Sequence, residues 1–381
     1  MPNTDRGLAP RAAFAALVFA IATPAVAEVP AKQLFGAKRD AAALKPAVYG
    51  SYSKGCVAGA ARLPDDGPAW QAMRPSRNRH WAHPELVELV KQLSVDAQKV
   101  GWPGLLVGDL TQPRGGPMLT GHASHQAGLD ADIWLTPMPD RRLTRGERDS
   151  LSATSVLARK PNGGLNNQKV GPGFTKAHAG LIRTAAQYPN VERLFVHPAI
   201  KKAMCDAYPN RPRWLAKVRA QWSHHYHFHI RIGCPAGSPG CRPQRPVPNM
   251  GCGKNLDWWL NVAYGPKPKP KKTAKVAKKP VKRKPRARDV MTMAALPPAC
   301  AVVLNAPAYD GLGDRDGFGR TSDVMLIGNA IVPTWRPGAA LAERPVAPSS
   351  AASAYAEPAP GKPPAPGKRK LESGFKPAPL R

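Results

Sequence analysis

The 381-residue chain carries 56 Lys and Arg against 25 Asp and Glu, a net charge of +31, with 44 prolines and six cysteines. That length accommodates one large domain or two modest ones, with a sizeable core. Beyond the N-terminus no stretch is apolar over the ~20 residues that cross a bilayer, which argues against an integral membrane protein; with no Cys-x-x-Cys pair, a cysteine zinc site is disfavoured.

At the N-terminus, Arg6 and Arg11 precede the apolar run 12–21, and Ala25-Val26-Ala27 supplies small residues before Glu28. Residues 1–27 are therefore expected to be a cleaved secretory signal, and the mature protein soluble and exported. Export into an oxidising compartment makes three disulfides the default for Cys56, Cys205, Cys234, Cys241, Cys252 and Cys300. Residues 28–47 look like a poorly ordered lead-in to a core at 48–265. Within that core Pro84 opens a helix, since Leu86, Leu89, Val90 and Leu93 follow i, i+3, i+4, i+7 spacing. Leu105-Leu106-Val107 is a short strand ended by Gly108-Asp109.

The first chemical cluster spans 121–135. Its end alternates as a strand, placing Asp130 and Asp132 on one face and Leu129, Ala131 and Ile133 on the other. Two carboxylates on one face repel unless a cation sits between or beside them, and a zinc ion held with His125 would satisfy both. The competing reading is a surface strand with two solvated aspartates. Residues 141–173, rich in Arg, Gly and Asn, read as loops over the site. A helix is expected at 177–188, a strand at 191–196, a short helix carrying Cys205 at 199–207 and another helix at 214–220. His80, His83, His178 and His197 stand alone and read as surface or hydrogen-bonding residues.

The second cluster, 222–232, packs His224, His225, His227 and His229 into six positions. In a strand His227 and His229 share a face about 7 Å apart, with Tyr226, Phe228 and Ile230 opposite. Imidazoles crowded in this way repel one another on protonation, so a metal or a proton-transfer role accounts for them better than chance does. Catalytic zinc takes three His, Asp or Glu ligands and leaves a position open; His125, Asp132 and His229 make such a set, with His227 free beside it to accept a proton. This is the pattern of a hydrolase.

The loop from Cys234 to Cys241 is tight enough for those two to pair, and 256–264 reads as a helix. Between Lys267 and Arg288 there are twelve Lys or Arg and no acid, broken by Pro268, Pro270, Pro280 and Pro285. The segment 266–290 is expected to be an extended solvated arm suited to anionic envelope polymers or lipid head groups before nucleic acid, a plain linker being the alternative. Apolar character returns at 291–305, which carries Cys300. Residues 306–381 form an Ala/Pro-rich tail without periodicity, expected to be disordered.

The spacing His125-x6-Asp132 with a later His227-x-His229 resembles the zinc peptidases that include D-Ala-D-Ala carboxypeptidases and dipeptidases, lysostaphin-type endopeptidases and hedgehog-like folds. More narrowly, 124–132 with His224-x2-His227-x-His229-x4-Cys234, Gly50-Ser51-Tyr52, Ser76-Arg77-Asn78-Arg79 and 113–117 is similar to the penicillin-insensitive murein endopeptidase family. The resemblance covers about 49–264 and 296–304. It implies an α+β fold whose central antiparallel sheet carries one zinc ion on His125, Asp132 and His229. It implies His227 as base, His224 assisting the transition state, and His122 and Asp130 nearby. Implied disulfides are Cys56-Cys300, Cys205-Cys252 and Cys234-Cys241. The implied activity is periplasmic hydrolysis of D-alanyl to meso-diaminopimelyl cross-bridges in peptidoglycan, insensitive to β-lactams. A D-Ala-D-Ala carboxypeptidase, with Arg114 holding the substrate carboxylate, and a non-catalytic envelope-binding protein with structural zinc are the alternatives. Against the family pattern, the basic arm stands as an insertion within a disulfide-closed loop.

Overall fold

The computed structural model describes residues 28–265 and 285–308. Residues 1–27, expected to be a signal, most of the basic arm (266–284) and the tail from 309 lie outside the described residues.

The architecture is α+β, built on a seven-stranded sheet whose strands run in the order Val218–Ala220, Val191–Val196, His227–Ile232, Asp130–Trp134, Leu105–Val107, Trp70–Ala72, Asp66–Gly67. The sheet is mixed and not purely antiparallel. Val191–Val196 pairs in parallel with Val218–Ala220, and Trp70–Ala72 with Leu105–Val107, while the central pairings are antiparallel. The two strands richest in chemistry, His227–Ile232 and Asp130–Trp134, are neighbours at its centre.

Period-2 alternation decides which side chains go where. Ala131, Ile133, Leu194, Val196, Phe228, Ile230 and Ile232 enter the main core. They meet the helix Pro84–Gln98 through Leu86, Leu89, Val90 and Leu93, and the helix Lys176–Gln187 through Leu181, Ile182, Ala185 and Ala186. Each fully buried Val, Leu, Ile or Phe among them contributes about 1.5–3 kcal/mol. This one-sided apolar packing leaves Asp132, His227 and His229 on the other face of the sheet.

Several expectations are corrected. The lead-in 28–47 is ordered: Ala31–Gly36 is helical, and fully buried Ala31 and Phe35 pack against Met291, Leu296, Cys300 and Val303. Its partners lie some 260 residues on, beyond the reach of local pattern reading. Gly116, at φ +75°, lets that helix approach, since a Cβ there would stand 2.3 Å from the Phe35 ring. Residues 141–173 are not all loop. They hold the helix Arg145–Ser150, started by a Thr144/Glu147 capping box, and the paired strands Leu157–Arg159 and Leu165–Val170. The helix expected at 214–220 is a short 3-10 turn, Arg213–Lys217, followed by the edge strand Val218–Ala220. The far end of the basic arm is folded, with Ala287–Val290 helical and Asp289 paired to Lys32 at 3.0 Å.

Three disulfides join Cys56 to Cys300, Cys205 to Cys252, and Cys234 to Cys241. The first spans 244 residues and anchors the helix Ala299–Asn305 to the strand Lys54–Ala58. Closing a loop of that size stabilises the fold by roughly 5 kcal/mol in the chain-entropy account.

Candidate metal centre

Sheet register builds the site. His229 lies directly across from Asp132, Arg231 across from Asp130 and His227 across from Trp134. The aspartates are not solvated: Asp130 is 0% and Asp132 5% exposed. On its other side His229 faces Phe195, whose ring meets it edge-on at 5.2 Å.

His125 comes from the loop before the aspartate strand, with a left-handed φ of 66°. Its backbone N–H donates to Asp130 Oδ2 at 2.9 Å, and its Nδ1 meets the Leu110 carbonyl at 2.6 Å. A carbonyl only accepts, so Nδ1 carries a proton and Nε2 is turned to Asp132 Oδ1 at 3.4 Å, where it can serve a metal once unprotonated. His229 is fixed in the mirror sense. Its Nε2 donates to Asp130 Oδ1 at 2.8 Å, and its Nδ1 lone pair stands 3.5 Å from the same Asp132 Oδ1. His125 Nε2 and Asp132 Oδ1 are buried and have no hydrogen-bond partner.

Acceptors converging without a donor are costly in a buried site, and a cation removes the cost. A tetrahedral shell with bonds of about 2.0–2.2 Å places its ligand atoms roughly 3.3–3.6 Å apart, and the two distances to Asp132 Oδ1, 3.4 Å from His125 and 3.5 Å from His229, lie in that range. The outer partners, a carboxylate for one imidazole and a main-chain carbonyl for the other, are those that orient metal-binding histidines. The donor set thus fits zinc. His227 Nε2 approaches Asp132 Oδ1 at 3.6 Å, while His122 Nδ1 faces the other oxygen, Oδ2, at 3.6 Å. Among the described residues, the group whose ligand atoms all lie within 4.8 Å of one another is His122, His125 and Asp132, without His229. His122 therefore stands closer to the centre than a bystander.

Charge follows the same geometry. Burial works against the Asp132 carboxylate, but His227, His125 and His122 hold its pKa well below the usual range. Asp130 is likewise depressed, because Arg231 and His229 outweigh its burial. Burial pushes His227 down to about 3 and His229 down to about 4, so both are neutral lone-pair donors near pH 7. Burial opposes the His125 cation too, yet the adjacent Asp132 and Asp130 raise that pKa.

The cluster divides at its turn. Ser223 and His224 are left-handed, with φ of 62° and 39°, and the strand begins only at His227. His224 swings toward the centre, 4.8 Å from the His227 ring and 5.9 Å from His229, with Nδ1 bonded to the Trp222 carbonyl at 2.5 Å. His225 points elsewhere, 6.1 Å from His197, and its carbonyl accepts from Val156. Arg114 is corrected: it is 3% exposed and bonds the carbonyls of Asp40, Val303, Leu304 and Ala306, so its guanidinium ties the 291–305 return segment to the core. The isolated histidines are all buried and hydrogen-bonded. His80 meets the Met73 carbonyl and His178 that of Leu135, while His83 and His197 cap helices.

Sequence reasoning missed Asp109. Its Oδ2 accepts from His122 Nε2 at 3.1 Å, Arg79 at 3.0 Å and Arg77 at 3.1 Å, and these partners hold its pKa down against burial. The available signal was an acid in the Gly108-Asp109 strand end, which by itself looks like ordinary turn chemistry.

Residues 48–305 match the family described as penicillin-insensitive murein endopeptidase. A protein of that name from Haemophilus influenzae is 41% identical over 227 residues, which is 59% of this chain and 76% of its own. Others from Klebsiella pneumoniae subsp. pneumoniae and Yersinia enterocolitica are 38% and 39% identical over 259 and 231 residues, covering 67% and 60% of this chain and 85% and 81% of theirs.

Proposed function

The chain belongs to the penicillin-insensitive murein endopeptidase family, and from that premise we propose that it is a periplasmic zinc endopeptidase hydrolysing D-alanyl to meso-diaminopimelyl cross-bridges of peptidoglycan. The observation that carries the metal assignment is the convergence of two imidazole nitrogens, His125 Nε2 and His229 Nδ1, on Asp132 Oδ1.

In this reading His125, Asp132 and His229 hold the ion. Zinc there would polarise the scissile carbonyl and acidify a water. His227, neutral and buried beside the ligands, accepts the proton of the attacking water. His224 has Nδ1 engaged by the Trp222 carbonyl, so it donates to a developing oxyanion only from a protonated Nε2. Its share in the transition state therefore requires the imidazolium, which burial of the ring disfavours by lowering its pKa. Because the nucleophile is water, β-lactams that acylate serine leave the reaction untouched.

The test is digestion of purified sacculi with and without chelator, followed by muropeptide analysis, alongside a monomeric pentapeptide substrate. Cross-linked dimers should fall to monomers with zinc and persist with chelator. Unchanged dimers in the presence of zinc would overturn the enzyme reading, and release of terminal D-Ala without dimer cleavage would replace it with a carboxypeptidase.

A further inference from the structure

Arg77 ends a single 3-10 turn, Pro75–Arg77, whose flanks Arg74 and Asn78 are both left-handed without being glycine, with φ of 64° and 51°. Such backbone persists only where its surroundings over-determine it. Here Ser76 donates from N and Oγ to Asp149 Oδ1 at 3.1 and 2.7 Å, and Asn78 is held between the Arg39 carbonyl and Trp81 Nε1. The turn presents Arg77 over Asp109, with one amino nitrogen on Asp109 Oδ2 at 3.1 Å.

That same oxygen takes Arg79 and His122, and His122 leans on Asp132, so Arg77 is three short polar contacts from the metal ligands. The three neighbouring cations differ in what remains free. Arg79 is 8% exposed at its side chain and also donates to Thr120, and Arg74 is committed to the carbonyls of Asp149 and Leu151. Arg77 is 42% exposed, and among the described residues its Nε and second amino nitrogen make no hydrogen bond. With Arg79 and His122 already on Asp109, Arg77 is more cation than that carboxylate needs.

We propose that Arg77 holds the substrate carboxylate attached to the carbon that bears the scissile amide nitrogen. The inference rests on the cross-bridge reading. In a D-alanyl to diaminopimelyl bond that carbon carries a free carboxylate a few bonds from the reacting carbonyl. A guanidinium with two open donors on a fixed turn suits it through paired charge-assisted hydrogen bonds. The assignment places on Arg77 the task that Arg114, locked to main-chain carbonyls, does not perform.

The experiment pairs two cross-linked muropeptides, one with the free carboxylate and one with it amidated, against wild type, Arg77→Gln and Arg77→Lys. Binding is read by calorimetry on metal-free protein, and turnover on the zinc-loaded enzyme. Wild type should prefer the free acid by about tenfold or more, the preference should vanish in Arg77→Gln through KM with kcat little changed, and Arg77→Lys should restore part of it. Equal losses on both substrates would overturn the proposal, as would no preference in wild type. If wild type cleaves neither substrate, the cross-bridge reading fails separately, and binding to the metal-free protein still decides Arg77 by the same comparison.

Discussion

His229 donates from Nε2 to Asp130 Oδ1 at 2.8 Å while its Nδ1 stands 3.5 Å from Asp132 Oδ1, so one carboxylate sets the tautomer that lets the imidazole serve the other. Asp130 also receives the His125 backbone N–H and Arg231 Nε, and so orients two candidate ligands at once. Arg231 is 1% exposed and lies over the Tyr52 ring at 4.0 Å, which holds the assembly from behind. Replacing Asp130 with Asn should weaken zinc affinity about 10–100-fold, measured by competition with a chromophoric chelator. A dissociation constant within twofold of wild type would count against this orienting role.

The third ligand is a choice between His229 and His122. His229, His125 and His227 address Asp132 Oδ1, whereas His122 addresses Oδ2. His229→Ala should lose stoichiometric zinc and cross-link hydrolysis yet still sediment with sacculi. His122→Ala should keep one zinc per chain, read by elemental analysis, with reduced turnover. The reverse pattern would transfer the ligand role to His122. His225→Ala should retain turnover within about threefold, because its side chain faces His197 and not the centre.

Arg114 should behave as a structural residue. Its loss leaves buried carbonyls of the return segment without a donor, which costs about 2–4 kcal/mol. Arg114→Met should lower the thermal midpoint and leave KM unchanged. A raised KM at unaltered stability would return Arg114 to the substrate.

Lys201 offers a test by pH. It is 0% exposed and donates to the carbonyls of Leu215 and Met250, and burial, aided by Arg219 and Arg211, pushes its pKa from 10.5 down to about 7. Between those values the unfolded chain binds a proton that the folded one lacks, so this group's contribution to stability rises from about pH 7 toward 10.5 and is lost as pH falls through 7. Urea midpoints at pH 7 and 9 should show wild type gaining on the order of 2 kcal/mol relative to Lys201→Met. A parallel response of the two proteins would mean that the buried amine is charged throughout.

The basic segment should act apart from catalysis. Deleting 266–284, while keeping the Asp289 contact to Lys32, should weaken binding to anionic vesicles or sacculi and make it less salt-sensitive. Hydrolysis of a small soluble muropeptide should persist. Equal loss of both would show the segment to be part of the catalytic fold.

Much of the site was legible because period-2 alternation is a local property. Asp130 and Asp132 against Ala131 and Ile133, and His227 and His229 against Phe228 and Ile230, sort by face from spacing alone, and the structure buries the apolar set as that pattern demands. The helix from Pro84 was legible for the same reason at period 3.6. The helix Ala31–Gly36 was not, since its six residues become stable only against a return segment far along the chain. Arg114 misled because a guanidinium in a loop looks the same on paper whether it meets a substrate or four carbonyls.

By itself, then, the sequence determined the chemistry available: which histidines and aspartates share a face, how many cysteines can pair, and where the basic run lies. Tertiary structure decided the pairing across strands. A register that sets His229 against Asp132, and Arg231 against Asp130, is chosen by burial of whole apolar faces and not by the polar residues it aligns. The tautomers, the Asp109 cluster and the half-free Arg77 all follow from that register and from loops held over it. Hydrogen bonds between residues about a hundred positions apart are the physical terms no local pattern contains.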